Sequence, residues 1–324
     1  MRINELQEQN HTHSTETAEE MIELFIKEKE SMNLSKMTLN MYQVHINLFL
    51  RFLDDEASKP VWDVCNQKHY RDYILYLQGK DILDVTVTSY ARTLRIWFYL
   101  LQENKAAPLF DIKLPRYQKV IPDTYTNEEL TKLLRKPSKN CTVVEYETWV
   151  FINLAIGTGL RLDSMLSIHV EDIRFPENSL MINTTKTNNS LLLVLNIELL
   201  NILKEYIKLL ALHEKDLLFS TGEGTKLSNR TMEDFVRRYS KKRGVHKKKL
   251  IHAFRHTFAR NFYLQTHDMY RLMNLMGHTM ISTTEHYLGT LGLNTSQQIE
   301  YNPQAELNLN KTHTSKKARL SSIR

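Results

Sequence analysis

The chain has 324 residues, 42% of them hydrophobic and 25% charged, which is enough apolar material for a real core and excludes wholesale disorder. That length exceeds one comfortable core and predicts two domains. A net charge of +6 and a pI near 9.0 suit a polyanionic partner, because each Lys or Arg set on a phosphate releases condensed counterions. The two cysteines, Cys65 and Cys141, are far apart and lack ligand spacing, so neither a disulfide framework nor a zinc site is expected. The start is polar and acidic, and the Leu-rich stretch 191–203 is broken by Asn196, Glu198 and Asn201, so no signal peptide and no membrane span are read. A cytoplasmic, nucleoid-associated protein is the matching expectation.

In chain order, 1–16 reads as a polar leader and 17–104 as a small helical domain. Its helices are expected over 18–32, 35–54, 67–77 and 85–103, with Met41, Val44, Leu48 and Phe52 at helical spacing in the second. Over 105–122 the periodicity stops. Pro108, Pro115 and Pro122, with Lys113, Arg116 and Lys119, predict a stiff, extended, basic linker. Thr126 followed by Glu129 is a capping box and opens a second domain, 123–293. That domain reads as mostly helical, with a hairpin formed by 179–185 and 191–196 that carries Lys186 at its turn. The last stretch, 294–324, reads as a basic, Ser-rich tail.

The second domain holds a set of groups suited to breaking a phosphodiester without metal. Such chemistry needs a nucleophile, cations for charge growing on the non-bridging oxygens, and an acid for the leaving oxygen. Arg161 lies in Gly159-Leu160-Arg161, Lys186 at the hairpin, His252 and Arg255 in a His-x-x-Arg segment, His278 after Gly277, and Tyr287 nine residues further on. Taken singly each has an ordinary reading: a loop glycine with a surface arginine, an exposed polar helix edge, a half-buried tyrosine, a solubilising lysine. Together, in this order and spacing, they resemble the tyrosine recombinase, or phage integrase, family.

The resemblance covers about 126–288; the N-terminal part is similar to that family's helical (SAM-like) core-binding domain in size and character only. It implies a mainly α fold with a small β-hairpin or sheet, arranged as a two-domain C-shaped clamp of core-binding and catalytic domains. Arg161 and Arg255 would hold the scissile phosphate, and Tyr287 would attack it to give a 3′-phosphotyrosyl link. The phenol, with a reference pKa near ~10, needs help, for which His252 is the favoured residue. Lys186 would protonate the departing 5′-oxygen, and His278 would donate to a non-bridging oxygen. No cofactor and no metal are implied.

Double-stranded DNA is the expected partner, bound by a homotetramer on two sites with strand exchange through a Holliday junction, and with accessory DNA-bending factors as possible company. The segment after Tyr287 corresponds in position to the arm that docks on a neighbouring protomer. Two other readings stay open: a type IB topoisomerase, and a DNA-binding protein of this fold without cleavage activity. Where the family has an acidic residue three positions after the first arginine, this chain has Ser164, with Asp163 one position earlier as a candidate substitute. Arg237, Arg238, Lys241, Lys242, Arg243, Lys247, Lys248 and Lys249 crowd the stretch before His252 and are expected to meet neighbouring phosphates. His213, His246, His256, His267 and His286 receive no role, although His256 adjoins Arg255.

Overall fold

The computed structural model describes residues 16–54, 60–116, 121–183, 190–248 and 250–293, which fall into two compact units divided between Lys119 and Val120. The chain is mainly helical, with one three-stranded antiparallel sheet. Among the described residues no helix is long and apolar enough to cross a membrane, and no His, Cys, Asp and Glu cluster could hold a metal ion.

In the first unit, α1 (Ala18–Ser31) opens on a capping box in which the Glu20 amide donates to Thr17 Oγ1 at 3.3 Å and the Thr17 amide to Glu20 Oε2 at 2.8 Å. There follow α2 (Lys36–Phe52), a single turn α3 (Val61–Val64), α4 (Gln67–Gln78) and α5 (Asp84–Glu103). Their shared core is aromatic. Phe49 meets Tyr73, Trp97 and Phe98 edge-on, with ring centroids 5.3, 6.4 and 5.8 Å apart.

Two features of this unit were not legible in the sequence. The buried stripe of α2 is Leu39, Ile46, Phe49 and Leu50, whereas Met41 and Val44 are exposed. Phe52, at the end of the Met41 and Val44 series, still packs on this core, its ring 5.3 Å from that of Tyr73. The supposed linker is also not free over its described part. Ala106, Ala107 and Ile112 are buried in this core with Phe110 and Leu114 packed against it, and Tyr70 Oη donates to the Lys113 carbonyl at 2.9 Å. The prolines stop the helix, but the apolar residues between them still find the core.

The second unit is built around α7 (Val143–Thr158). Trp149, Val150, Phe151, Ile152 and Leu154 are all buried on it, and a helix apolar on every side belongs in the middle. Around it pack α6 (Asn127–Leu134), α9 (Ile197–Leu209), α10 (Asn229–Lys242) and α11 (Leu250–Thr266). The Thr126–Glu129 capping box starts α6 as the sequence predicts.

Strands β2 (Ser179–Asn183) and β3 (Ser190–Val194) pair antiparallel, Leu180 opposite Leu193, with both side chains buried. A short strand β1 (Ile173–Arg174), not foreseen in the sequence, adds to the other side of β2. Lys186 and Lys249 lie outside the described residues.

A separate apolar cluster forms where the second half of α11 meets α12 (Met269–Leu275) and α13 (Ile281–Thr290). It is made of Ala259, Tyr263, Leu272, Met276, Leu288, Leu291 and Leu293, with Phe258, Phe262, Met269 and Tyr287 packed on it.

Gly159 ends α7 with φ of +64°, and its amide donates to the Ala155 carbonyl at 2.9 Å. A Cβ there would lie 2.3 Å from the ring of Phe258. Gly159→Ala thus combines a left-handed backbone cost of about 1–2 kcal/mol with an overpacking cost of about 1–3 kcal/mol. A urea titration should show a loss within the sum of those ranges, and an unshifted midpoint would contradict the packing described.

Candidate active site

The site begins at the turn after α7. Gly159 reverses the chain, Leu160 is buried beneath, and Arg161 becomes the residue before the short helix α8 (Leu162–Met165), which leaves its side chain exposed at the surface. From α11 comes Arg255, only 9% exposed. It is held by two backbone carbonyls, Nη1 donating to Gly159 at 2.6 Å and Nη2 to Met276 at 2.8 Å. Arg161 Nη1 points at the same Met276 carbonyl from 3.5 Å.

Two guanidiniums therefore converge on one oxygen, and among the described residues neither is paired with a carboxylate. Burial and the Arg161 charge lower the Arg255 pKa to about 10. Such an arrangement is costly while empty and favourable once an anion lies between the forks.

Met276 closes α12, Gly277 turns the chain with φ of +60°, and His278 follows. His278 Nδ1 lies 2.9 Å from Oγ1 of the fully buried Thr284, which fixes the ring. Burial, then Arg255 and Arg161, push its pKa down to about 4, so the ring is neutral at pH 7 and offers a hydrogen bond instead of a charge. Tyr287, two turns into α13, has its ring against the small cluster and against two imidazoles. Its Oη is 2.5 Å from His256 Nδ1, the His256 ring stacks on it at 5.4 Å, and His278 stands edge-on at 6.0 Å. Burial pushes the phenol up to about 12 against the opposing pull of Arg255 and Arg161.

The structure thus brings Arg161, Arg255, His278 and Tyr287 together. The sequence model of the phage integrase family matches residues 124–291 of this chain. The chain belongs to the phage integrase family, the tyrosine recombinases. It is 29% identical over 263 residues to a tyrosine recombinase of Pseudothermotoga lettingae, covering 79% of this chain and 88% of the relative. It is 24% identical over 283 residues to the tyrosine recombinase XerA of Pyrococcus furiosus, covering 87% and 93%. Among solved structures it shares its fold with a lambda integrase dimer bound to a COC′ core site, with TM-score 0.67, 17% identity and coverage of 88% and 81%. It also matches XerH bound to a palindromic difH substrate, with TM-score 0.66, 19% identity and coverage of 84% and 81%.

Some sequence expectations for this recombinase change in the structure. His252 is exposed on α11, and the imidazole that meets the phenol is His256, one helical turn further on. The only sign in the sequence was that His256 adjoins Arg255, because positions four apart share a helix face and only the placement of α13 decides which of them meets Tyr287. Asp163 does not turn to Arg161; its Oδ1 bonds Lys226 Nζ at 2.9 Å, and that ammonium also reaches Ser167 Oγ at 2.6 Å. The carbonyl of Met276 takes the supporting part for Arg161.

The basic cluster divides. Arg243 is half-buried, stacked on Tyr239 with its guanidinium 3.5 Å from the ring centroid and bonded to Glu145 at 3.3 Å. Lys242 shares Glu145 at 2.7 Å, and Lys247 pairs with Glu129 at 3.2 Å. These three tie α10 and the following turn to α7 and α6. Arg237 pairs with Asp234 on its own helix, and Arg238, Lys241 and Lys248 are exposed.

His278 gives a pH signature for the DNA-free recombinase. Its folded pKa of about 4 lies below the ordinary value of 6.5, so the unfolded chain takes up the proton first. The stability this ring contributes is complete above pH 6.5 and is lost as pH falls through the window from 6.5 to 4. Denaturation midpoints of wild type and His278→Gln across that window should converge toward the acid end. A constant gap between the two curves would contradict a neutral, half-buried His278.

Proposed function

We propose that this recombinase acts as a site-specific integrase or transposase, cleaving and rejoining duplex DNA through a 3′-phosphotyrosyl bond to Tyr287 and a Holliday junction. The observation that carries this reading is the pair of guanidiniums, Arg161 and Arg255, meeting at one carbonyl with no carboxylate partner among the described residues and with their charges acting on the Tyr287 phenol. Two forked donors fit the two non-bridging oxygens of one phosphodiester and neutralise the charge that grows there on attack. His278, neutral and fixed by Thr284, supplies a further hydrogen bond to those oxygens. Lys186 is the acid for the departing 5′-oxygen on the strength of the family resemblance, and no cofactor or metal enters the scheme.

In this reading 17–104 is the core-binding domain and 123–293 the catalytic domain, and both contact the duplex. Arg238, Lys241 and Lys248 meet flanking phosphates. Lambda integrase is known as a tetramer bound to a Holliday junction, which supports a homotetramer on two DNA sites here. A transposon integrase of Tn1549 in complex with transposon right-end DNA, similar in fold with TM-score 0.67 and 17% identity, makes movement of a mobile element a fitting role. Such work is done in the cytoplasm, on the nucleoid.

The test is covalent trapping on a library of nicked duplexes with randomised sequence around the nick, followed by recovery and sequencing of the DNA carried on a denaturing gel. Wild type should yield an adduct on a defined sequence, and Tyr287→Phe should yield none. Arg161→Ala and Arg255→Ala should each slow adduct formation by on the order of 10²–10³-fold. Tight, sequence-selective binding of a duplex on which no adduct forms would instead make the chain a DNA-binding protein, and relaxation of any plasmid by the monomer would make it a topoisomerase. On the recovered duplex, Lys241→Ala and Lys248→Ala should each reduce the slope of log affinity against log salt by about 1, with little change in sequence preference.

A further inference from the structure

We propose that His256 is the base that takes the phenolic proton from Tyr287 during strand cleavage and returns it during religation. The inference rests on the recombinase reading above and names a catalytic group it leaves open. The phenolic oxygen is the atom that must attack phosphorus, and His256 Nδ1 lies 2.5 Å from it, within reach for direct transfer. The two rings are stacked, with planes 24° apart, so packing as well as the hydrogen bond holds the pair.

The other candidates near the phenol are poorly suited to the task. His278 has Nδ1 on Thr284 and is held neutral by burial and by two guanidiniums, which suits a donor to phosphate better than an acceptor of a proton. Arginine does not lose its proton in this range. His252 is exposed one turn away. A phenol pushed up to about 12 by burial is unreactive at neutral pH unless its proton leaves as the new bond forms.

The local sequence fixes His256 unusually well. Arg255 before it is locked by the Gly159 and Met276 carbonyls, and Thr257 after it accepts from the Tyr125 amide at 2.8 Å and donates to the Ala253 carbonyl at 2.7 Å. Neither neighbour can rotate without breaking buried bonds, so the imidazole between them is aimed by the helix.

The step balances without a further reagent. As the bond from Tyr287 Oη to phosphorus forms, the phenolic proton passes to Nδ1 of a His256 ring protonated at Nε2, giving imidazolium. The bond from phosphorus to O5′ breaks, and O5′ takes its proton from the leaving-group acid, Lys186. In religation the 5′-hydroxyl attacks, its proton returns to that acid, and imidazolium returns the other proton to Oη as the phosphotyrosyl bond breaks.

The test uses the full chain and the duplex recovered by wild-type trapping, in single turnover. His256→Ala should slow adduct formation by about 10²–10⁴-fold, and added imidazole should restore part of the rate, which a purely structural role would not allow. The same loss should persist on a substrate with a 5′-bridging phosphorothiolate, whose thiolate leaves without an acid. A wild-type rate in His256→Ala, a loss that vanishes on the phosphorothiolate, or full recovery by His256→Gln without response to imidazole would each overturn the assignment. If wild type forms no adduct on any duplex, the recombinase reading itself fails. The pairing is then judged alone by nitrogen NMR of histidine-labelled protein: the His256 Nδ1 resonance should move in Tyr287→Phe, and an unmoved resonance refutes it.

Discussion

The backbone carbonyl of Met276 is the constraint on which the site depends. Its oxygen receives Arg255 at 2.8 Å and faces Arg161 at 3.5 Å, while its side chain is buried in the apolar cluster that also supports Tyr287. One residue thus ties the paired guanidiniums to the cluster that carries Tyr287. A hydrogen bond from a charged donor to a buried carbonyl is worth about 1.5–3 kcal/mol, roughly twice a neutral one, and two donors on one oxygen offset part of the repulsion between their charges. Gly159 serves the same end from the opposite side, giving Arg255 its second carbonyl and Arg161 its place after the turn.

Chemistry of this kind was legible in the sequence where the reaction demands a residue type at a motif position. Arginine, histidine and tyrosine in that order left little else to read, and the structure gathers Arg161, Arg255, His278 and Tyr287 at one place. What the sequence could not carry was which face of a helix meets which neighbour. His252 and His256 are equivalent on α11 until α13 is placed against it. Charge was similarly ambiguous. The run from Arg237 to Lys249 looks uniform in the sequence, yet Glu145 and Glu129, more than ninety residues earlier in the chain, recruit Lys242, Arg243 and Lys247 into the fold.

The fold was easier to read than the site's fine detail because its signals are local. Thr17 with Glu20 and Thr126 with Glu129 start helices by satisfying free amides within one turn, and Asn196 does the same at the head of α9 by accepting the Leu199 amide. The packing of 106–114 on the first core was not legible because a broken periodicity reports the end of a helix and says nothing about burial. Ala106, Ala107 and Ile112 are too few to show a pattern and sufficient to anchor the segment.

The helix that carries Tyr287 belongs to an apolar cluster of its own, apart from the core built around α7. Local free energies of opening follow the contacts that must be broken, so this corner can come apart at a lower cost than the body of the domain. Damage and control are consequently separable in this molecule. A change at Leu288 or Leu291 can disarm the enzyme while sparing the body of the fold, and a partner that presses on this corner has a lever on cutting that leaves the larger core intact.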